Sequence, residues 1–206
     1  MPRTLVIDTA TAACSVALIE GGTVVAHAHE VVSRGHAERL IPMVAELPDG
    51  GRAEHILVDV GPGSFTGIRV GIAAARGLAL GWRASVAGYS SLPLIAAGAF
   101  ASELSHDLAV VIEGGHGEVF MAGFSAYPLA ETDALRSLAP ADALAALDGR
   151  MAVGSGVRWL TDLPAERNGG ALLPDARHAP LLPPEFTALP PRPLYGRAPD
   201  AKLPSR

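Results

Sequence analysis

The sequence predicts an α/β fold of two related subdomains, the second of them reduced. Short apolar strands alternate with helices through the first half of the chain, and a second group of strands starts near residue 108. The 206 residues are 49% hydrophobic and 18% charged, an ordinary globular composition. We expect an N-terminal subdomain at 1–100, a smaller subdomain at 101–190, and a tail at 191–206 that returns to the first subdomain.

The first half begins with strands and then alternates. Residues 4–7 are an apolar run ending at Asp8, and residues 13–19 and 23–31 flank the hairpin signal Gly21-Gly22. Helices are then predicted at 36–47, from the GPGSFTG segment to about residue 80, and at 92–100, with strands at 56–60 and 85–87. This β-β-β-α-β-α-β-α order is typical of the actin, sugar-kinase and Hsp70 type of domain.

The second half contains fewer regular elements. Strands are predicted at 108–112, 119–124 and 151–153, and a short helix at 140–147. Nine of the 17 prolines lie from Pro174 onward. Such a segment favours extended, weakly regular structure, so we expect it to form a strap over the surface.

Charge and cysteine content narrow the class of protein. The net charge is −5 and the pI about 5.8, so the chain lacks the basic footprint of a protein that binds nucleic acid alone. Its one cysteine, Cys14, lies in an apolar strand and is expected to be a packed thiol in a reducing compartment. The N-terminus lacks the long apolar run of a signal peptide, and Arg76 interrupts the most apolar stretch. We therefore expect a cytoplasmic protein without a membrane span.

Two loops could contact a nucleotide. In the first, Asp8 and Thr9 end the first strand in the manner of the Asp-x-Gly-Thr loop of sugar kinases, but Ala10 replaces the glycine and should obstruct a phosphate. The alternative, that Asp8 and Thr9 only close the strand, is favoured over independent nucleotide binding. In the second, GPGSFTG lies between a strand and a helix, where anions are favoured. It lacks the lysine of a Walker A loop, so a tight turn capped by Ser64 is the alternative.

A stripe of small residues follows GPGSFTG along one helical face. Gly67, Gly71, Ala75 and Ala79 recur every four residues, so another backbone could approach that face closely. Packing within the chain and packing on a partner helix are both consistent with this spacing.

Signatures of metal and nucleophile chemistry are weak. None of the seven histidines has metal-ligand spacing, because Leu40 stands four residues after His36 where an HxxxH motif needs histidine. A G-x-S-x-G nucleophile motif is also missing. We therefore expect neither catalytic residues nor a bound metal.

Several blocks resemble one family in order along the chain. They are VIDTATAACSVAL at 6–18, GHAERLIPMV at 35–44, VGPGSFTGIRVGIAAARGLALG at 60–81, VAGYSSL at 86–92 and PLYGRAPDAK at 193–202. Together they resemble the TsaB family, also called YeaZ. The loop at 113–117 departs from the family pattern.

The resemblance implies an accessory subunit in an actin-like fold. TsaB proteins are non-catalytic paralogues of TsaD, which transfers a threonylcarbamoyl group to the tRNA adenosine 3′ of the anticodon, and a TsaE-like ATPase joins them. It implies that tRNA is reached only through this complex and that the isolated chain is a homodimer. The alternatives are an ATP-dependent small-molecule kinase, opposed by Ala10, and an M22-like metallopeptidase, opposed by Leu40.

The resemblance also implies two sets of site residues. The family's partner face lies on the two helices predicted at 36–47 and 66–80, which favours a partner on the small-residue stripe. No nucleotide is expected to bind independently, whereas ATP or ADP at the partner interface would contact Asp8, Thr9, Gly63 and Ser64. The expected partner interface consists of His36, Leu40, Met43, Phe65, Gly67, Ile68, Gly71 and Ala75.

Overall fold

A computed structural model describes residues 1–102 and 106–196 and contains two mixed sheets. The first has the order β3-β2-β1-β4-β5, in which β1, β2 and β3 are antiparallel and β4 and β5 run parallel to β1. Its strands are β1 (Arg3–Asp8), β2 (Ala13–Glu20), β3 (Thr23–Val31), β4 (His55–Asp59) and β5 (Ser85–Tyr89). Ile7 pairs with Val58, so Asp8 and Asp59 follow side by side at the carboxyl ends of neighbouring strands.

Three helices accompany this sheet, as predicted. They are α1 (His36–Ala45), α2 (Phe65–Trp82) and α3 (Ser91–Ala101). The Ser64 hydroxyl caps α2 by accepting from the Gly67 amide at 3.2 Å, and α2 ends at Arg83 in the left-handed region at φ 58°. None of the helices in these described residues is long and apolar enough to cross a bilayer.

The second sheet is a shorter version of the first. It has the order β8-β7-β6-β9, with β6 (Leu108–Gly115), β7 (Glu118–Ser125) and β8 (Ala130–Leu138) antiparallel and β9 (Met151–Val153) parallel to β6. Helix α4 (Pro140–Ala146) precedes β9. An antiparallel meander followed by a parallel strand thus occurs twice, which confirms the predicted actin-like fold with a reduced second half. β8 was not predicted, because its alternation carries few large apolar residues.

The molecule is layered. Helices α1 and α2 cover one face of the first sheet, and α4 covers the outer face of the second. Between the two sheets lies α3, whose residues from Ser91 to Phe100 are all buried. Such a helix, apolar on every side, belongs in the centre of a core.

The proline-rich strap differs in part from its prediction. It consists of short 3₁₀ helices and extended chain, as expected. However, Ala176, Ala179 and Leu182 lie in the core between the sheets, so this part does not run over the surface. Further on, Leu189 pairs with Gly88 of β5, and the amide of Leu194 donates to the Val60 carbonyl at 2.7 Å. The remainder of the predicted tail, 197–206, lies outside the described residues.

Candidate functional site

The loop before α2 uses its own amides to hold itself together. The amide of Gly61 donates to Asp59 Oδ1 at 2.7 Å, and the amide of Ser64 donates to the Ala10 carbonyl at 2.6 Å. The Gly67 amide is taken by the Ser64 cap. A phosphate cradle needs amides that point at the anion, and these three are already engaged within the chain.

The two predicted phosphate loops lie in contact with each other. A Cβ added to Gly63 would lie 2.1 Å from the Ala10 carbonyl oxygen, and one added to Gly67 would lie 2.0 Å from the Thr9 carbonyl oxygen. Asp8 and Thr9 are fully buried, whereas Gly63 and Ser64 line an open cleft. The structure thus brings the four predicted nucleotide residues together but leaves only two of them facing open space.

The Asp8 and Asp59 side chains meet behind this loop. Asp8 accepts from the Ala10 amide at 3.3 Å and from the Tyr89 hydroxyl at 2.8 Å, and Asp59 accepts from the Ser91 hydroxyl at 2.5 Å. Burial raises the pKa of both carboxyls, and the nearby charge of Asp8 raises that of Asp59 further. Burial also raises the pKa of Tyr89 well above its ordinary value, so the phenol keeps its proton.

An open cleft of about 950 Å³ separates the loops of the two sheets. Thr11, Ser33 and Ser64 line its first-sheet side, and the hairpin at 113–117 lines the opposite side. Arg158 forms an ion pair with Glu113, which also accepts from Trp159 Nε1 at 2.7 Å. The divergent hairpin is therefore tied to the 3₁₀ helix Ser155–Trp159 across this cleft.

The predicted partner stripe packs inside the chain. Gly71 has no room for a Cβ, which would lie 2.5 Å from Thr9 Oγ1, and Gly67 lies against the Thr9 backbone. Ala75 and Ile68 are buried in the same core. The stripe therefore packs within the chain, which is one of the two arrangements that its spacing allows.

The predicted residues on α1 are also buried. Leu40 and Met43 lie in the core beneath the helix. The Nε2 atom of His36 hydrogen-bonds to the Ala13 carbonyl oxygen at 3.1 Å. These three side chains therefore hold α1 on the sheet.

Phe65 alone among the eight predicted interface residues is exposed, by 55%. Its ring stacks on Tyr195 of the strap with centroids 5.6 Å apart, and the Arg69 guanidinium lies 3.5 Å from the Phe65 centroid. Arg69 also donates to the Tyr195 hydroxyl at 3.0 Å. This cluster fixes the strap to the first turn of α2.

A different set of residues faces solvent on the two helices. We define the outer face of α1 and α2 by the exposed residues Ile41, Ala45, Ala73, Gly77 and Leu80. A Cβ added at Gly77 would meet nothing within 4 Å. The predicted interface residues do not include this face, although Ala73, Gly77 and Gly81 repeat the same four-residue spacing on the other side of α2.

The described residues hold no group of three or more His, Cys, Asp or Glu side chains able to bind a metal ion. Cys14 is fully buried, and burial raises the pKa of its thiol to about 11. The thiol is therefore protonated at neutral pH and packs as a small apolar group, as the sequence predicts.

Comparison with known proteins identifies the group to which this fold and loop belong. Residues 23–150 match the family described as TsaD, tRNA N6-adenosine threonylcarbamoyltransferase. Two solved Pseudomonas aeruginosa structures, one described as YeaZ and one as similar to peptidase YeaZ, share 29% and 30% identity with TM-scores of 0.74 and 0.72. Each comparison covers 86% of this chain and 88% of the other. The class is thus an actin-like protein related to TsaD.

Curated relatives carry the same name within that class. The chain is 43% identical to the tRNA threonylcarbamoyladenosine biosynthesis protein TsaB of Escherichia coli over 130 residues, 59% of this chain and 54% of the relative. It is 37% identical to that of Haemophilus influenzae over 123 residues, 57% and 52% of the two chains. The matched region spans about half the length of these two relatives. The chain belongs to the TsaB (YeaZ) family.

Proposed function

We propose that this chain is the non-catalytic subunit that pairs with a TsaD-like transferase in the biosynthesis of threonylcarbamoyladenosine in tRNA. The names of its relatives support the pathway, and the outer face of α1 and α2 supports the role as a docking subunit. A TsaE-like ATPase joins the assembly, tRNA is bound only through it, and the setting is the cytoplasm.

The observation that carries the docking role is the exposure of Leu80. This side chain is 86% exposed near the end of α2, on the same side as the open positions Ala73 and Gly77. Apart from Met1, it is the most exposed large hydrophobic side chain in the described part of the chain. A surface of apolar and small residues lets another helix approach to close packing distance, which suits a partner subunit.

The buried stripe keeps a supporting role in this proposal. Because Gly67 and Gly71 bring α2 close to β1, they fix the helix rigidly beneath the docking surface. A rigid helix loses little entropy when a partner binds. The same outer face would accept a second copy of the chain when the transferase is absent, which accounts for the expected homodimer.

In this proposal, nucleotide binds only to the assembled complex. Gly63 and Ser64 line the cleft beside the docking helix, so ATP or ADP held between the subunits would reach these two residues first. Asp8 and Thr9 act from behind them, because both are buried. The isolated chain is expected to bind neither nucleotide.

The test replaces Leu80 with a charge and compares an equally exposed control. Leu80→Glu places an unpaired carboxylate in the proposed interface and should weaken pairing with the host's TsaD-like subunit by at least about tenfold. Tyr127→Glu is the matched control, since Tyr127 is 85% exposed but lies between β7 and β8 in the second sheet. Co-purification and calorimetry measure pairing, and a tRNA modification assay with the transferase and TsaE measures function.

Two outcomes decide the proposal. Loss of pairing and of modification in Leu80→Glu, with Tyr127→Glu unaffected, supports it, and the variant should also remain monomeric in sedimentation. Normal pairing by Leu80→Glu would show that the docking surface lies elsewhere. Normal tRNA modification without any version of this chain would remove the proposed function altogether.

A further inference from the structure

Two buried carboxyl groups lie side by side in the first sheet. Asp8 and Asp59 follow the in-register pair Ile7 and Val58, so they stand together at the carboxyl ends of neighbouring parallel strands. Their exposures are 0% and 1%, and the charge of Asp8 raises the pKa of Asp59. Among the described residues, neither forms an ion pair with arginine, lysine or histidine. Two buried carboxylates without a cation would repel each other strongly.

The hydrogen bonds around the pair favour a proton on it. Two ionised carboxylates have no donor, so a hydrogen bond between them needs a proton on one of the two groups. The Ser91 hydroxyl has one proton but lies 2.5 Å from Asp59 Oδ2 and 3.0 Å from the Pro62 carbonyl. Likewise, the Tyr89 hydroxyl lies 2.8 Å from Asp8 Oδ2 and 3.2 Å from the Ile7 carbonyl. The two hydroxyl protons thus face four acceptors, and a proton held by the carboxyls supplies one further donor.

The same pair holds both sides of the loop before α2. Asp8 accepts from the Ala10 amide, and the Ala10 carbonyl in turn accepts from the Ser64 amide at the start of the helix. Asp59 accepts from the Gly61 amide. The loop is therefore anchored through Asp8 at its far end and through Asp59 at its near end.

We propose that Asp8 and Asp59 form an acid–carboxylate pair that keeps one shared proton in the folded chain and positions the loop before α2. The pair makes the seating of the docking helix depend on that proton. The inference concerns the isolated chain, so it stands or falls separately from the proposed partner.

Other titratable groups near the pair must also be considered as sources of a pH-dependent stability. His29 on β3, Cys14 on β2, Tyr89 on β5 and Asp175 on the strap face this region. Burial raises the pKa of Cys14 to about 11 and raises that of Tyr89 above its ordinary 10.0, so neither ionises near neutrality. His29 and Asp175 remain, and each is removed by a control variant below.

The direction of the pH effect follows from linkage. The pKa of Asp59 is raised well above its ordinary value of 3.8 by burial and by the charge of Asp8. The folded chain therefore holds this proton more tightly than the unfolded chain does. The stability that it provides is complete below the unfolded value and is lost as the pH rises towards the folded value. For one proton, the unfolding constant increases by up to about tenfold for each pH unit in that window.

The experiment measures unfolding by urea between about pH 5 and pH 9 on the whole chain. Wild type should lose stability as the pH rises, whereas Asp59→Asn should lose much less, because its amide donates permanently where the shared proton stood. His29→Gln and Asp175→Asn should keep the wild-type slope. Superimposable pH profiles for wild type and Asp59→Asn would overturn the inference.

A second measurement needs no variant. In protein with ¹³C-labelled aspartate, one carboxyl of the pair should stay protonated to a pH well above the ordinary value of 3.8. Hydrogen exchange of the Gly61 and Ser64 amides should accelerate as that carboxyl ionises. Amides of α4 serve as the reference for the general effect of pH on exchange. Two carboxyls that both titrate at ordinary values, or loop amides whose protection ignores the titration, would contradict the pair. An Asp59→Asn chain that still docks on the transferase leaves the proposed function intact whichever result is found.

Discussion

Gly67 of α2 is buried and Gly77 of the same helix is exposed, and their surroundings assign them opposite roles. At Gly67 an added Cβ would meet the Thr9 backbone at 2.0 Å, and at Gly77 it would meet nothing within 4 Å. The first glycine allows close packing on β1, whereas the second only leaves the outer face open.

Alanine substitutions should separate these roles. Gly67→Ala should destabilise the chain by about 1–3 kcal/mol, since the Thr9 backbone has to move. Gly77→Ala should stabilise it by up to about 1 kcal/mol, because alanine is the better helix former at an open position. Urea unfolding of both variants checks this. Equal effects of the two substitutions would show that α2 is not seated as described.

The residues of the site were only partly predictable. The four-residue spacing of Gly67, Gly71 and Ala75 is visible in the sequence, but a second stripe with the same spacing runs through Gly77. The neighbouring side chains distinguish the two stripes. Ile68 and Ile72 lie next to the buried stripe, whereas the exposed Arg69 and Arg76 lie next to the open one. The pairing of Asp8 with Asp59 could not be predicted, since it depends on the register of two strands far apart in sequence.

At the scale of elements, the strap contacts α3 where Gly98 faces the imidazole of His178. A Cβ added to Gly98 of α3 would lie 2.5 Å from His178 Nδ1. Burial lowers the pKa of His178, so the ring packs there in its neutral form. The bare backbone at Gly98 thus provides the room in which the strap lies against α3.

A double-mutant cycle tests this contact. Gly98→Ala should destabilise the chain by about 1–3 kcal/mol, because the new methyl group overlaps the imidazole. In a His178→Ala background the same substitution should cost about 1 kcal/mol less, since the overlap has been removed. Thermal or urea unfolding of the four chains gives the coupling. Additive effects would mean that His178 and Gly98 are not in contact.

The elements themselves followed largely from sequence. Strands with branched apolar residues and helices with regular apolar spacing were predicted close to their observed bounds. β8 was missed because it lies at the edge of its sheet and has exposed alternate residues. The prolines of the strap correctly indicated an irregular backbone. They carry no information on burial, however, and three apolar residues of the strap are core residues.

At the scale of the whole molecule, the net charge is consistent with the proposed docking role and opposes direct binding of nucleic acid. The net charge is −5, and binding to tRNA phosphates alone would require a basic surface. The structure adds that Arg39 pairs with Glu30 and Glu46, and Arg158 with Glu113. These arginines are therefore already engaged within the chain.

Electrophoretic mobility shifts test this reading. The isolated chain should leave the mobility of tRNA unchanged even at low salt, where electrostatic attraction is strongest. The complex with the transferase should retard tRNA, and the retardation should weaken as salt is added. Salt-sensitive retardation by the isolated chain would contradict the expectation that tRNA is bound only through the complex.

The placement of the strap also constrains the order of folding during synthesis. The ribosome releases the first sheet and α3 early, but Ala176, Ala179 and Leu182 cover part of the core that these elements share. Until residues 176–182 emerge, that apolar surface has no cover of its own. The nascent chain must therefore pass through a stage with an exposed core, in which a chaperone or the partner subunit could hold it before the last segment closes the layer.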